Sequence, residues 1–248
     1  MLDLQADRPA MGQKDGEKWT AAVDLQPTIP KSDRLLTPPV EVAAFDFDGT
    51  LTQRDTFTPF LARGLGLPRF LLAVLRCSPW LAGYALHLVR NDVAKARLMR
   101  ATLSGRASSE MENWTTRWLA QDFSGQLQDW ALARLAYHQQ AGHCCVIVSA
   151  SPDIYLPGVA RQLGFDGLIC TEMEVEQGAE GGRLTGRMRT PNCYGEQKAL
   201  RLNAWMTERF GAEAVNTMTL HAYGDTAGDK PMLRLAQHAW YRGKPWKE

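Results

Sequence analysis

The chain is poor in most features that would tie it to a specialised environment. It has only five cysteines in 248 residues, none in C-x-x-C spacing, which excludes a disulfide framework, a zinc ribbon and a dithiol redox centre. Cys144 and Cys145 are adjacent within an apolar run and read as buried, reduced thiols of a cytoplasmic protein. The formal net charge is only +1, so no electrostatic excess draws nucleic acid, and no nucleic-acid partner is expected. No phosphate-cradling glycine loop or dinucleotide fingerprint occurs, so no nucleotide cofactor is expected. No run of about 20 apolar residues is free of charge, and the opening MLDLQADRPA has early acids and no apolar core, so neither a membrane span nor a secretory leader is expected. Internal repeats and low-complexity tracts are also missing. Residues 1–39 mix Pro, Lys, Asp and Gln without apolar period and read as a flexible N-terminal extension.

What is present is an ordinary globular composition, 45% hydrophobic and 22% charged, long enough for one medium core and an accessory module. VEVAAFDF (40–47) is short and apolar and runs into Asp48-Gly49-Thr50, a buried strand ending in a tight loop. Residues 57–120 are helical in pattern, with Pro68 and Pro79 expected to break them into pieces. Further strands are expected at 143–150, 167–172, 217–225 and 238–242, helices at 153–164 and 195–211, and a Gly-turned hairpin at 174–188. Strands alternating with helices predict an α/β fold, a doubly wound parallel sheet with helices on both faces, which binds ligands at the carboxyl ends of its strands. The polar residues fall at those ends: Asp46 and Asp48, Ser149, and Asp225.

Asp46 and Asp48 are two apart, and on an extended strand such side chains point the same way. Two carboxylates on one face repel, and a hard cation would relieve them; Mg2+ takes a few carboxylates and completes its octahedron with water and phosphate oxygens. Asp229 follows Asp225 by four residues. A single acid would be a loop or cap residue, but four at two strand ends are not explained that way. Ser149 alone reads as a turn residue and Lys198 alone as a solvated helix lysine; only within the set do they become candidates.

These residues carry a family resemblance. FDFDGTLT (45–52) resembles the first motif of the haloacid dehalogenase superfamily, VSAS (148–151) the second, Lys198 in GEQKAL the third and YGDTAGD (223–229) the fourth. The resemblance implies a Rossmann-like catalytic core at 40–54 and 131–248, and an inserted α-helical cap at 55–130 that sets substrate specificity. It also implies roles. Asp46 is the nucleophile that forms an aspartyl-phosphate. Asp48 is the general acid and base, worth about 10²–10⁴-fold. Ser149 and Lys198 bind phosphate, and Mg2+ is held by Asp46, the Asp48 backbone carbonyl and Asp225. Asp229 and Thr50 support them.

The cap position and the hairpin resemble the subclass that includes phosphoserine phosphatase. SASPDIYLPGVARQLG, NCYGEQK and YGDTAGDKPMLRLA are similar to a bacterial group within it that contains phosphatidylglycerophosphatase C. For a phosphoserine-type substrate, Asp55 stands near the amine-binding acid, and Arg97 or Arg100 could hold the carboxylate. For a lipid phosphate, which is the preferred reading over phosphoserine, the clue is the apolar stretch 67–89 with Trp80, Tyr84 and flanking arginines. Packing within the cap explains that stretch more simply. Peripheral contact with the inner face of a membrane is its alternative. The same resemblance leaves open a phosphotransferase using an alcohol acceptor and, in another class, a non-catalytic binding protein. Trp114, Trp118 and Trp130 fit pocket lining or packing alike, and His143 and His221 read as structural rather than as ligands.

Overall fold

The computed structural model describes residues 40–179 and 181–247; the expectation for residues 1–39 lies outside them. The central sheet has six strands. They are β1 (Glu41–Phe45), β2 (Cys144–Pro152), β3 (Gly167–Thr171), β6 (Thr219–Gly224), β7 (His238–Tyr241) and β8 (Lys244–Trp246), in the order β3-β2-β1-β6-β7-β8. All neighbours are parallel except β8, which runs antiparallel on the edge. Strands β4 (Met173–Gly178) and β5 (Gly181–Met188) form a separate antiparallel hairpin.

Alternation along the strands divides the core in two. Ala43, Phe45, Cys145, Ile147 and Tyr223 point to one face, and Val42, Ala44, Cys144, Val146, Leu220 and Ala222 to the other. Helices α5 (Asp129–Gln140) and α6 (Leu156–Leu163) cover the first face, and α7 (Glu196–Phe210) and α9 (Lys230–Leu235) the second. Burial on both faces is why the strands read as continuous apolar runs rather than alternating ones. The sheet is thus the doubly wound, mostly parallel one expected from the sequence. α5, α9, β8 and the short α8 (Ala212–Thr217) were not expected; α5 buries only Ala131, Leu135 and His138, too sparse a stripe to stand out. None of the five cysteines is in a disulfide, and all are buried.

Between β1 and α5 lie four helices: α1 (Phe57–Leu65), α2 (Leu67–Ala85), α3 (Asn91–Leu103) and α4 (Ser108–Trp118). Phe60, Leu61, Met99, Leu103, Trp114 and Trp118 join their core to that of the first sheet face. The hairpin belongs to this layer by contact. Leu184 and the chain at Gly105 and Arg106 exchange backbone hydrogen bonds at 2.8 Å, and Gly186 abuts Arg100. Pro68 opens α2 as expected, but Pro79 does not break it. Pro79 is exposed, and loss of one amide there is offset by Phe70, Ala73 and Cys77 buried along the opposite side. No described helix is long and apolar enough to cross a membrane.

Candidate active site

β1 ends at Phe45, and the chain turns sharply through Phe47–Leu51, with Gly49 at φ 84°. A Cβ on Gly49 would lie 2.4 Å from an Asp225 carboxylate oxygen, so glycine is required both for the turn and for that approach. Gly224, closing β6, makes equal room for Asp229, whose Cβ a side chain there would meet at 2.4 Å. Neighbouring parallel strands thereby deliver Asp46, Asp225 and Asp229 to one point, with an oxygen of each within 4.8 Å of the others.

Lys198, buried on the first turn of α7, donates to Asp46 Oδ1 at 2.6 Å and to Asp229 Oδ1. The Asp229 Oδ2 accepts the amides of Asp225 (3.1 Å) and Thr226 (2.8 Å) and the Thr226 hydroxyl (2.8 Å), which fixes its carboxylate. Burial opposes the charge on Lys198, but Asp46 and Asp229 outweigh it and raise its pKa. Burial also opposes the charge on Asp229, and there Lys198 and Thr226 win and hold it down. For Asp46, burial wins over the pull of Lys198, and Asp229 adds to it, so its pKa is raised well above the carboxylate range. Asp225 is raised too, by burial and then by Asp229. One ammonium thus faces three carboxylates that converge on all-oxygen donors. That shortage of positive charge fits a hard divalent cation.

Asp48 does not share the Asp46 environment. Past the strand end, its Oδ1 accepts the Thr56 amide and hydroxyl, each at 2.7 Å, and its Oδ2 accepts the Ser151 hydroxyl. The expected same-face pairing of the two carboxylates is therefore replaced by two separate cradles, because the chain leaves extended geometry after Asp46. Burial raises the pKa of Asp48, and the nearby Asp55 raises it further. Ser149 is buried at the end of β2 and its hydroxyl accepts the Ser151 amide at 3.0 Å. Thr50 donates to Asp225 at 3.2 Å.

The specificity candidates separate. Asp55 is exposed, accepts the Thr58 amide at 3.1 Å and lies close enough to Asp48 to perturb it. The exposed Arg97 stacks its guanidinium over Trp80, 4.8 Å from the ring centre, on the outer side of α2 and α3. Instead, the cation that α3 sends to the site is Lys95. Its ammonium donates to the Ala150 carbonyl, and to Asn192 at 3.2 Å. Burial lowers its pKa to about 8, against the pull of Asp48 and Asp55. The sequence reading missed Lys95, Thr56, Ser151 and Asn192. Ser151, inside the VSAS quartet, and Asn192, opening NCYGEQK, carried a local signal, and Lys95 and Thr56 carried none.

A model of the haloacid dehalogenase-like hydrolase family matches residues 43–234. The protein CicA of Caulobacter vibrioides is 38% identical over 208 residues, covering 82% of this chain and 88% of that protein. A probable phosphatase of Mycobacterium tuberculosis is 28% identical over 225 residues, covering 86% of this chain and 72% of that protein. Among solved structures, a substrate-bound phosphoserine phosphatase superposes with a TM-score of 0.57 at 17% identity, covering 82% of this chain and 85% of that one; this likeness is one of fold.

Proposed function

The chain belongs to the haloacid dehalogenase-like hydrolase family, and on that premise we propose that it is a phosphatase that hydrolyses phosphomonoesters through an aspartyl-phosphate on Asp46. The observation that carries this reading is the buried Lys198 bridging Asp46 and Asp229, beside Asp225. Lys198 directs one carboxylate oxygen of Asp46, leaving the other to attack phosphorus. The P–O bond to the leaving alcohol breaks as the Asp46–phosphorus bond forms. Asp48, held by Thr56 and Ser151 with a raised pKa, supplies the proton to the departing oxygen. It then takes a proton from the water that attacks the phosphorus and frees Asp46. Ser149 and Lys198 hold the phosphoryl oxygens. Asp46, Asp225 and the Asp48 carbonyl would hold Mg2+, with Asp229 and Thr50 fixing the cluster; the cation supplies charge stabilisation for the phosphoryl oxygens.

The helices of 55–130, with the β4–β5 hairpin packed on them, form the cap that selects the substrate. The preferred substrate is a lipid phosphate at a membrane surface. Leu67, Leu71 and Leu75 recur every four residues along α2 and are 62%, 55% and 68% exposed, with Leu72 beside them. Exposed Arg69 and Arg76 lie on the same helix beside this stripe, an arrangement suited to an anionic lipid interface. A second reading, a small amino-acid phosphate such as phosphoserine, is favoured by Lys95 and Asp55 beside Asp48, one cation and one anion at the leaving-group side.

The test is phosphate release across a panel containing phosphoserine, glycerol phosphate, histidinol phosphate and phosphatidylglycerophosphate in mixed micelles, with Mg2+ and with Asp46→Asn as control. Release from the lipid in preference to the soluble esters supports the first reading, and preference for phosphoserine the second. Product analysis with added alcohols identifies a phosphotransferase. No release from any ester would overturn the hydrolase and leave a non-catalytic binding protein.

A further inference from the structure

The sequence holds five histidines, and four of them gather on the amino-terminal side of the acids along the strands, with His221 opposite Ala43. Glu41 opens β1 and Asp46 follows its end, a separation of roughly 16 Å along an extended chain. His143 immediately precedes β2, His138 lies in the last turn of α5, and His221 lies on β6, where it stacks on His238 of β7 at 4.9 Å. His138, His143 and His221 each bring a ring nitrogen within 4.8 Å of the other two. We propose that these three imidazoles form a second metal site, for Zn2+ or a similar imidazole-seeking cation, built into the floor of the sheet.

The pattern of partners is what points to a ligand. In each ring Nε2 faces an oxygen: His138 faces the Tyr223 hydroxyl at 2.8 Å, and His143 and His221 face the Glu41 carboxylate at 3.5 and 2.8 Å. That leaves Nδ1 as the donor on each ring. The Nδ1 atoms of His138 and His143 lie 2.8 Å apart and share one proton, while that of His221 is buried without a partner. Metal-binding histidines are oriented in this way, by an oxygen acceptor on the opposite nitrogen. A cation entering the cluster would replace the shared proton, which moves to the Nε2 of that ring and points at Tyr223 or Glu41. It would also satisfy the orphaned His221 nitrogen. Imidazole donors favour Zn2+ over Mg2+, so the two sites would sort their cations by chemistry. The sequence reading took His143 and His221 as structural; single histidines on separate elements give no spacing signal for such a site.

The experiment uses the full chain in saturating Mg2+, with Zn2+ or Co2+ as probe. One Zn2+ per chain should survive dialysis, Co2+ should give the visible absorption of a tetrahedral site, and Zn2+ should raise the Tm. His143→Asn and His221→Asn should each weaken Zn2+ binding by at least about 100-fold. Asp225→Asn should leave the Co2+ spectrum intact, which separates this site from the acidic cluster. His143→Asn should keep wild-type turnover with Mg2+. If a histidine variant fails to fold, Glu41→Gln at the rim of the cluster should weaken binding by about 10-fold. No Zn2+ retention, retention by both folded histidine variants, or loss of the spectrum in Asp225→Asn would each overturn the proposal.

Discussion

The floor of the active site and the helical layer above it are built on different physics. In the floor, functional groups are fixed by ion pairs and hydrogen bonds: Lys198 by two carboxylates, Asp229 by two amides and a hydroxyl, Asp48 by Thr56 and Ser151. In the helical layer, packing dominates: Phe60 meets Trp114 and Trp118 edge to face, Trp118 meets Tyr155 of the core in the same way, and Lys95 and Thr56 reach the acids' end of the sheet. A rigid polar floor beneath a largely apolar roof divides labour. On the function proposed above, the floor serves any phosphate ester and the roof decides which ester arrives.

That division predicts that damage to the floor is blind to substrate. Asp46→Asn should lower kcat by about 10⁴-fold or more on every ester hydrolysed, with little loss of Tm because Asn is isosteric. Asp48→Asn should cost about 10²–10⁴-fold, again on every ester, and most for poor leaving groups that need the proton. Steady-state kinetics on two unlike esters would break the comparison if either variant spared one of them.

Damage to the roof should be selective. Lys95 keeps its charge below pH 8 or so and loses it as pH rises through its pKa of about 8, because burial favours the neutral amine. For an ester carrying a second anionic group, kcat/KM should therefore fall above about pH 8. In Lys95→Met it should be roughly 10–100-fold lower below that pH, the worth of a hydrogen bond to a charged group, and the alkaline limb should vanish. An ester with no second anion should show neither effect. Equal loss on both esters would make Lys95 part of the floor.

The same contrast governs what could be read from sequence. Much of the floor was legible because a parallel sheet gathers its ligands from strand ends, and each strand end carries its chemistry within a few residues: Asp46 to Thr50, Ser149, and Asp225 with Asp229. The strands themselves were legible from continuous apolar runs, which burial on both faces imposes. Lys95 was not, since it is one charge among several on a weakly patterned helix, and its partners Ala150 and Asn192 lie 55 and 97 residues away. Arg97, the neighbour that the resemblance favoured, is two positions further on and so faces about 200° around the helix, onto Trp80. Pro79 misled for a related reason: a helix is judged locally by its residues, but its continuation is decided by what it packs on.

The smallest effect expected is also the one that bears most directly on substrate. Leu71 and Leu75 are exposed side chains on the outer face of α2, while Phe70, Ala73 and Cys77 anchor its inner face. Leu71→Glu with Leu75→Glu should leave the fold within about 0.5 kcal/mol of wild type, as solvent-facing changes do, and should leave turnover of a soluble ester unchanged. At an anionic bilayer, the two leucines together stand to lose burial worth at least about 1.5 kcal/mol, and the added carboxylates repel the surface. Co-sedimentation with anionic vesicles should therefore weaken by about 10-fold or more, and hydrolysis of a vesicle-borne lipid phosphate should fall in step. If vesicle binding is absent in the wild type, or unchanged in the double variant, the leucine stripe has no role in presenting lipid. The choice of substrate then passes to the polar end of the roof, where Lys95 and Asp55 stand beside Asp48 and a small doubly charged ester is the better fit.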